Sequence, residues 1–423
     1  MWFKNYLKNL LHPPASTSYI PVISTLSNWS TALYPIPILV EKSGVIRPMK
    51  TSLEWGQFIF SMLNLTLHSV IFIVWMLRNV FFHKIIPLPV WKQVMMWYFC
   101  IIIVTVIICQ VIIMLRKEEC LMLLWTPIKM ENFCRVKYDA TSYTKKLILW
   151  VGELVKMSMI SIGLAVFVLS GVMPCCPPIV TALTLPECAG VWTKNIVGVP
   201  FWLRIPLGIW QTYTWLTLHN MMVILLLHLS LYAAEMMGVW LDGVEKESLK
   251  SSRNIKSYRV TQVAEKMVNH FWRKPLMSVV MLAIIIGETS ALYILITSAT
   301  KLPLPILVGF TMVGVDLFVV IHITFRILSL PHSASEKLMG KMKLLQKGRD
   351  SAWLKRFVRS CPSLKIGMGD GTFFDRLTPF IIWQFCVDST VPTVVYGGTK
   401  YQARGLQGPG PGRCLYTRYN GLF

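Results

Sequence analysis

Met95-Met96-Trp97-Tyr98-Phe99-Cys100-Ile101-Ile102-Ile103-Val104-Thr105-Val106-Ile107-Ile108 runs for 14 residues without a charge. It lies inside a longer apolar segment, 90–115, and a helix crosses a bilayer with about 20 mainly apolar residues. Six further segments share this character: 57–77, 147–173, 205–238, 276–299, 303–329 and 372–396. The last is the poorest, because Asp375, Arg376 and Asp388 lie within it. Lipid offers no hydrogen bonds to an open backbone, so segments of this length cross it as helices. The spacing predicts an all-α membrane protein with seven transmembrane helices. Residues 1–56 form an N-terminal segment, 57–396 the helical domain, and 397–423 a Gly- and Pro-rich disordered tail.

Composition points the same way. Of 423 residues, 54% are hydrophobic and only 15% are charged, against about 25% in an ordinary soluble domain. A soluble protein could bury so much apolar surface but would lack the polar residues to cover it.

The net charge of +22 from 42 basic and 20 acidic residues would suit nucleic acid if it were gathered on one folded domain. It is not. The N-terminal segment and the stretches 116–146, 239–275 and 330–371 hold 29 basic residues, whereas the alternate connections 78–89, 174–204 and 300–302 hold 5. Basic residues concentrate on the cytoplasmic side of membrane helices. The asymmetry predicts a cytoplasmic N-terminus and, after seven spans, an extracellular C-terminus. No nucleic-acid partner is expected; the bilayer is the partner. Within 239–275, Lys246, Lys250, Arg253, Lys256 and Arg259 recur every three or four residues, one stripe of a helix.

That orientation opposes a metabotropic seven-helix receptor, whose N-terminus is outside. Neither Asp/Glu-Arg-Tyr after the third segment nor Asn-Pro-x-x-Tyr in the seventh is present. The start Met1-Trp2-Phe3-Lys4 lacks the long apolar run of a secretory leader. Catalytic signatures such as GxSxG, a P-loop or HExxH are missing. No enzyme is expected, and no cofactor or metal, since the ten cysteines form no CxxC pair. Gly367-Met368-Gly369-Asp370-Gly371 reads as a turn into the seventh helix.

Ionisable residues inside spans are costly and face protein or water. Glu153 and Lys156 share a face and should pair, while Glu288 and Asp316 lie deeper without a local partner. A secondary transporter using those two carboxylates is therefore the rival reading. Trp210, Tyr213, Tyr293 and Phe310 fall in the expected outer half, where an aromatic-lined cleft suits a small organic ligand. The stretch 174–204 carries Cys175, Cys176 and Cys188, and an oxidising exterior would allow one disulfide. Cys188 has two candidate partners.

Taken together, these features resemble the arthropod gustatory/odorant receptor superfamily. The resemblance rests on about 400 residues, seven spans, an inside N-terminus and the region before and within the seventh helix. There Ser360-Cys361-Pro362-Ser363-Leu364-Lys365-Ile366 and Gly371-Thr372-Phe373-Phe374 lead into Thr378-Pro379-Phe380-Ile381-Ile382-Trp383-Gln384-Phe385. The family's gustatory branch carries Thr-Tyr, five apolar residues and Gln-Phe; this chain is one residue shorter and has Pro for Tyr. The resemblance implies a chemosensory receptor of the plasma membrane, a ligand-gated cation channel. Four like or related subunits, co-receptors included, would surround one pore. The small organic ligand would sit among the outer halves of the helices. Pore-lining positions would be Thr390, Val391, Val394 and Val395.

Overall fold

A computed structural model describes residues 18–41, 45–82, 90–137, 143–175, 178–184, 188, 200–246, 252–300, 302, 304–348, 352–369 and 371–402. The chain is almost wholly helical. A short helix α1 (Ile20–Thr31) is followed by two strands, β1 (Ile38–Val40) and β2 (Ile46–Pro48). They pair antiparallel with Leu39 opposite Arg47. Then come α2 (Ser52–Phe82), α3 (Val90–Leu115), α4 (Lys117–Lys137), α5 (Tyr143–Val172) and the single turn α6 (Thr181–Thr184). Helix α7 (Phe201–Val223) continues through a π-helical stretch, Ile224–Leu231, into α8 (Tyr232–Lys246). After α9 (Ser252–Phe271) and α10 (Leu276–Ser298), α11 (Leu304–Val319) runs through a second π-helical stretch, Val320–Thr324, into α12 (Phe325–Leu328) and α13 (Leu330–Gly348). Helices α14 (Ala352–Ser360) and α15 (Thr378–Gln402) end the described chain.

Six helical runs are long and apolar enough to cross a membrane: Ser52–Arg78, Trp91–Leu115, Lys146–Val172, Trp202–Lys246, Leu276–Ser298 and Ile306–Leu344. Their surfaces differ from those of a soluble bundle. Leu154, Met157, Ile160, Leu164 and Val168 of α5 are all exposed, at spacings of three and four that make one bare apolar stripe. In water such a stripe would drive aggregation; in lipid it is the expected outer surface. The run through α7 and α8 is instead largely enclosed by its neighbours.

The seventh segment starts later than its composition suggests, at Thr378. Asp375 is not inside the helix but caps it. Its Oδ1 accepts from the Thr378 amide at 2.7 Å, the Thr378 hydroxyl at 2.7 Å and the Leu377 amide at 2.9 Å. These donors, the Thr378 hydroxyl first, hold the Asp375 carboxyl below the usual carboxylate range. A capping carboxylate also favours the positive end of the helix dipole. Ahead of it, Gly369 and Gly371 adopt φ of +92° and +97°, the left-handed region that glycine tolerates. They close the turn bridged between Gly367 and Phe373.

The basic stretches between the spans are mostly helical. Helices α4, α9 and α13 pack around α8. Their charges hide apolar stripes: in α9 the buried residues Tyr258, Thr261, Ala264, Val268 and Phe271 recur every three or four positions. Trp272 fills the centre, with its indole N–H on the Leu229 carbonyl at 3.3 Å.

The N-terminal segment is likewise built into the bundle. Ile23, Leu26, Ser27 and Ser30 of α1 are buried, and the helix packs on α5 and α7. A buried polar cluster holds its start. Glu131 of α4 accepts from the Ser18 hydroxyl at 2.6 Å, the Tyr19 amide at 2.8 Å and the Tyr232 hydroxyl at 2.6 Å. The Tyr19 hydroxyl donates to Glu235 at 3.0 Å. Burying two carboxylates is tolerable only with such donors around them.

Candidate functional site

The aromatic residues of the outer half divide among three places. Trp210 belongs to a polar junction between α2 and α7. Its indole N–H donates to Asn64 Oδ1 at 2.6 Å, Asn64 Nδ2 donates to the Thr214 hydroxyl at 2.9 Å, and the His68 ring lies tilted against that of Trp210, 4.7 Å between centroids. Gln211 lies 3.3 Å from His68 Nε2. This is the interhelical hydrogen bonding that buried polar side chains provide between membrane helices.

Tyr213 lies nearby, with its ring 5.7 Å from Phe60. It lines a cavity of about 450 Å³ between the end of α1, the start of α2 and α7. Leu33, Tyr34, Leu53, Gly56 and Gln57 complete most of its wall. A Cβ built on Gly56 meets nothing within 4 Å.

Phe310 belongs to a third group. Its ring lies 5.7 Å from Tyr98 and 6.2 Å from Phe99 of α3. Phe99 in turn meets Trp215 of α7 at 5.2 Å and Phe72 of α2 at 6.4 Å. Four helices thus converge on Phe99, and edge-to-face pairs at these separations are favourable beyond their burial. Tyr293 is buried on α10. Of the four aromatic residues singled out from the sequence, Tyr213 lines the cavity, Phe310 joins the aromatic cluster and Trp210 the polar junction. Tyr98 and Phe99, which the sequence reading did not single out, belong to this cluster. They stand in the Trp97-Tyr98-Phe99 triplet of the deciding stretch; Trp97 faces outward while the other two turn inward.

The carboxylates separate as well. Glu153 and Lys156 form the expected pair. Glu288 of α10 is 1% exposed, and its Oε2 has no hydrogen-bond partner among the described residues. Asp316 of α11 is exposed. Cys386 of α15 points its thiol to the Ile285 carbonyl of α10 at 3.9 Å.

Along α15, Ile382, Cys386 and Thr390 are buried, while Ile381, Gln384, Phe385 and Asp388 are exposed. Thr390, a pore position implied by the family resemblance, lies on the face turned into its own chain, with its hydroxyl on the Cys386 carbonyl at 2.8 Å. The side chains of Val391, Val394 and Val395 lie outside the described residues. Cys175 is bonded to Cys188, with Cα atoms 5.0 Å apart; Cys176 lies outside the described residues. Among the described residues no His, Cys, Asp and Glu group has the makings of a metal site.

Solved structures share this fold, two of them of one receptor. The structure of the insect olfactory receptor OR5 from Machilis hrabei matches with a TM-score of 0.55 at 9% identity, over 93% of this chain and 98% of that one. The same receptor in complex with eugenol matches with a TM-score of 0.59 at 10% identity, over the same shares. The likeness is one of fold. No family model and no curated protein matches the sequence.

Proposed function

We propose that this chain is a chemosensory receptor of the arthropod gustatory/odorant receptor superfamily, a subunit of a ligand-gated cation channel in the plasma membrane. The observation that carries the reading is the shared fold over 93% of the chain with an olfactory receptor, once in complex with a small phenol, eugenol. The inside-heavy charge distribution supports a cytoplasmic N-terminus.

The ligand site is the aromatic cluster of Tyr98, Phe99, Trp215 and Phe310, with Tyr293 on the neighbouring α10. Four subunits, alike or mixed, would place α15 around a pore. Its open face supplies Gln384 and Asp388. These continue at spacings of three and four to Val391 and Val395, so one stripe carries a polar inner half and an apolar outer half. An apolar constriction gates by dewetting. In this arrangement Thr390 supports the helix from behind.

Expression in oocytes with voltage clamp tests the reading, with eugenol as the first probe and an epitope tag reporting the side of the N-terminus. Ligand-evoked cation current with an intracellular tag is expected. An extracellular tag, or surface protein that gives saturable pH-dependent flux without channel openings, would overturn it in favour of the metabotropic or transporter reading.

The cavity beside Tyr213 offers a competing location, and Gly56 separates the two. Gly56→Leu projects into open space and gains about 1 kcal/mol of helix propensity. It is expected to leave the ligand response unchanged, whereas Phe310→Ala should raise the half-maximal concentration about tenfold or more. A dose–response curve shifted by Gly56→Leu and untouched by Phe310→Ala would move the ligand to the cavity.

A further inference from the structure

We infer that the cavity beside Tyr213 holds a sterol taken from the bilayer, its hydroxyl on Gln57 and its ring body against α2. This lipid site is separate from the aromatic cluster and does not depend on the chain conducting ions.

The position of the cavity points to the membrane. Helix α2 enters the bilayer at Ser52, where its span Ser52–Arg78 begins. Ser52, Leu53, Gly56, Gln57 and Phe60 all line the cavity, so it follows about 12 Å of helix axis inward from the boundary. That depth covers both the polar and the apolar part of an amphipathic lipid. Leu53 and Phe60 are 73% and 58% exposed and stand seven residues apart on one face of the helix. Between them Gly56 is exposed, and a Cβ there meets nothing within 4 Å. The result is an apolar notch two turns long. Exposed apolar side chains at this depth meet lipid, so the notch opens to the bilayer.

The wall selects the class of lipid. None of its side chains is charged, which suits a neutral amphiphile rather than a phosphate headgroup. Gln57 Oε1 is shielded and has no hydrogen-bond partner among the described residues, and a shielded acceptor left unmade is costly. A hydroxyl supplies the donor. The Tyr213 hydroxyl stands on the same wall, with a long bond of 3.4 Å to the Leu33 carbonyl.

The shape favours a rigid body. The rings of Phe60 and Tyr213 lie 5.7 Å apart. Tyr34, which also lines the cavity, holds φ at +53°, a left-handed conformation that is costly outside glycine and recurs at ligand clamps. Aromatic walls over a glycine floor fit a fused ring system, which loses less conformational freedom on binding than an acyl chain does. A volume of about 450 Å³ takes one molecule of that size. Because α1 ends on one side of the cavity and α2 begins on the other, the occupant ties the N-terminal helix to the bundle.

The test uses the full-length chain in nanodiscs of phosphatidylcholine, with or without cholesterol, and a diazirine-bearing cholesterol as label. Labelling of 52–60 that saturates and is competed by unlabelled cholesterol is expected, with a melting temperature raised by a few degrees. Gly56→Leu is expected to remove both effects. Gln57→Leu should weaken cholesterol about tenfold and leave 5-cholestene, which lacks the hydroxyl, unchanged. The bare stripe of α5 serves as the reference for contact with bulk lipid. Labelling of 52–60 no stronger than that of α5, or kept in full by Gly56→Leu, would overturn the inference. So would displacement of the label by eugenol, which would make the cavity the site of the small ligand, or by phosphatidylcholine lipids in place of the sterol. Should Gly56→Leu not be recovered folded, competition on the unaltered chain decides: 5-cholestene as strong a competitor as cholesterol would overturn the inference. No current enters the readout, so failure of the channel reading leaves the result intact.

Discussion

Replacing Trp272 by alanine is expected to destabilise the protein by about 3–5 kcal/mol and to strip most of it from the cell surface. Trp272 is the largest fully buried side chain among the described residues. It sits where α9 turns into α10, against Phe271 at a ring separation of 5.7 Å. Its indole N–H donates to the Leu229 carbonyl inside the first π-helical stretch, so truncation also removes that hydrogen bond. Helices α4, α8, α9 and α13 make up this half of the bundle, and truncation would leave a cavity beside them. Thermal melting in detergent and surface biotinylation measure the effect. Trp272→Phe should recover part of the loss by refilling volume without restoring the hydrogen bond. A melting temperature within a degree or two of the parent for Trp272→Ala would mean that the α9–α10 junction does not hold this half together.

Reversing the charge at Asp388 is the second large effect expected. Asp388 is exposed on a helix whose opposite face is packed against α10, and an acidic side chain at hydrocarbon depth turns to water or to another subunit rather than to lipid. In a four-subunit assembly it would form an acidic ring one turn inward of Val391. Fields of one sign in a narrow aqueous cleft concentrate counter-ions by about ten- to a thousandfold. Asp388→Lys should therefore abolish cation current at unchanged surface expression. Asp388→Asn should lower single-channel conductance and move the reversal potential toward that of a less selective pore. Gln384→Ala should alter conductance only modestly, since an amide carries no net charge. Conductance and reversal potential untouched by both Asp388 variants would place the ion path elsewhere, and the exposed stripe of α15 would then be a contact with a neighbouring chain.

How far these sites could be seen in the sequence depended on the kind of information each needs. The disulfide shows the limit well. Three cysteines within one connection narrowed the choice, but only the backbone path brings Cys175 to within 5.0 Å of Cys188. The pair Glu153 and Lys156 was legible because both members lie on one helix, three residues apart. Glu288 stood out because an acid in an apolar run is conspicuous by itself. The aromatic cluster was not legible in the same way: Phe72, Phe99, Trp215 and Phe310 come from four helices, and no spacing along the chain relates them. Trp210 was ambiguous in the sequence, because Trp signals equally a membrane interface, a ligand wall and an indole N–H seeking an acceptor. Here the acceptor is Asn64, from a helix nearly 150 residues away in sequence.

The sequence by itself determined that this chain is a bundle of membrane-crossing helices, because hydropathy and charge are summed along the chain and a helix satisfies its own backbone within one segment. It also determined where the basic residues gather, and with them the expected orientation. Only the tertiary structure decided that the basic stretches fold into helices around α8 and that α1 is built into the bundle beside α5 and α7. It likewise turned Thr390 inward and Asp388 outward. Those outcomes depend on which face of each helix meets which neighbour, and that choice is made by packing between segments distant in sequence.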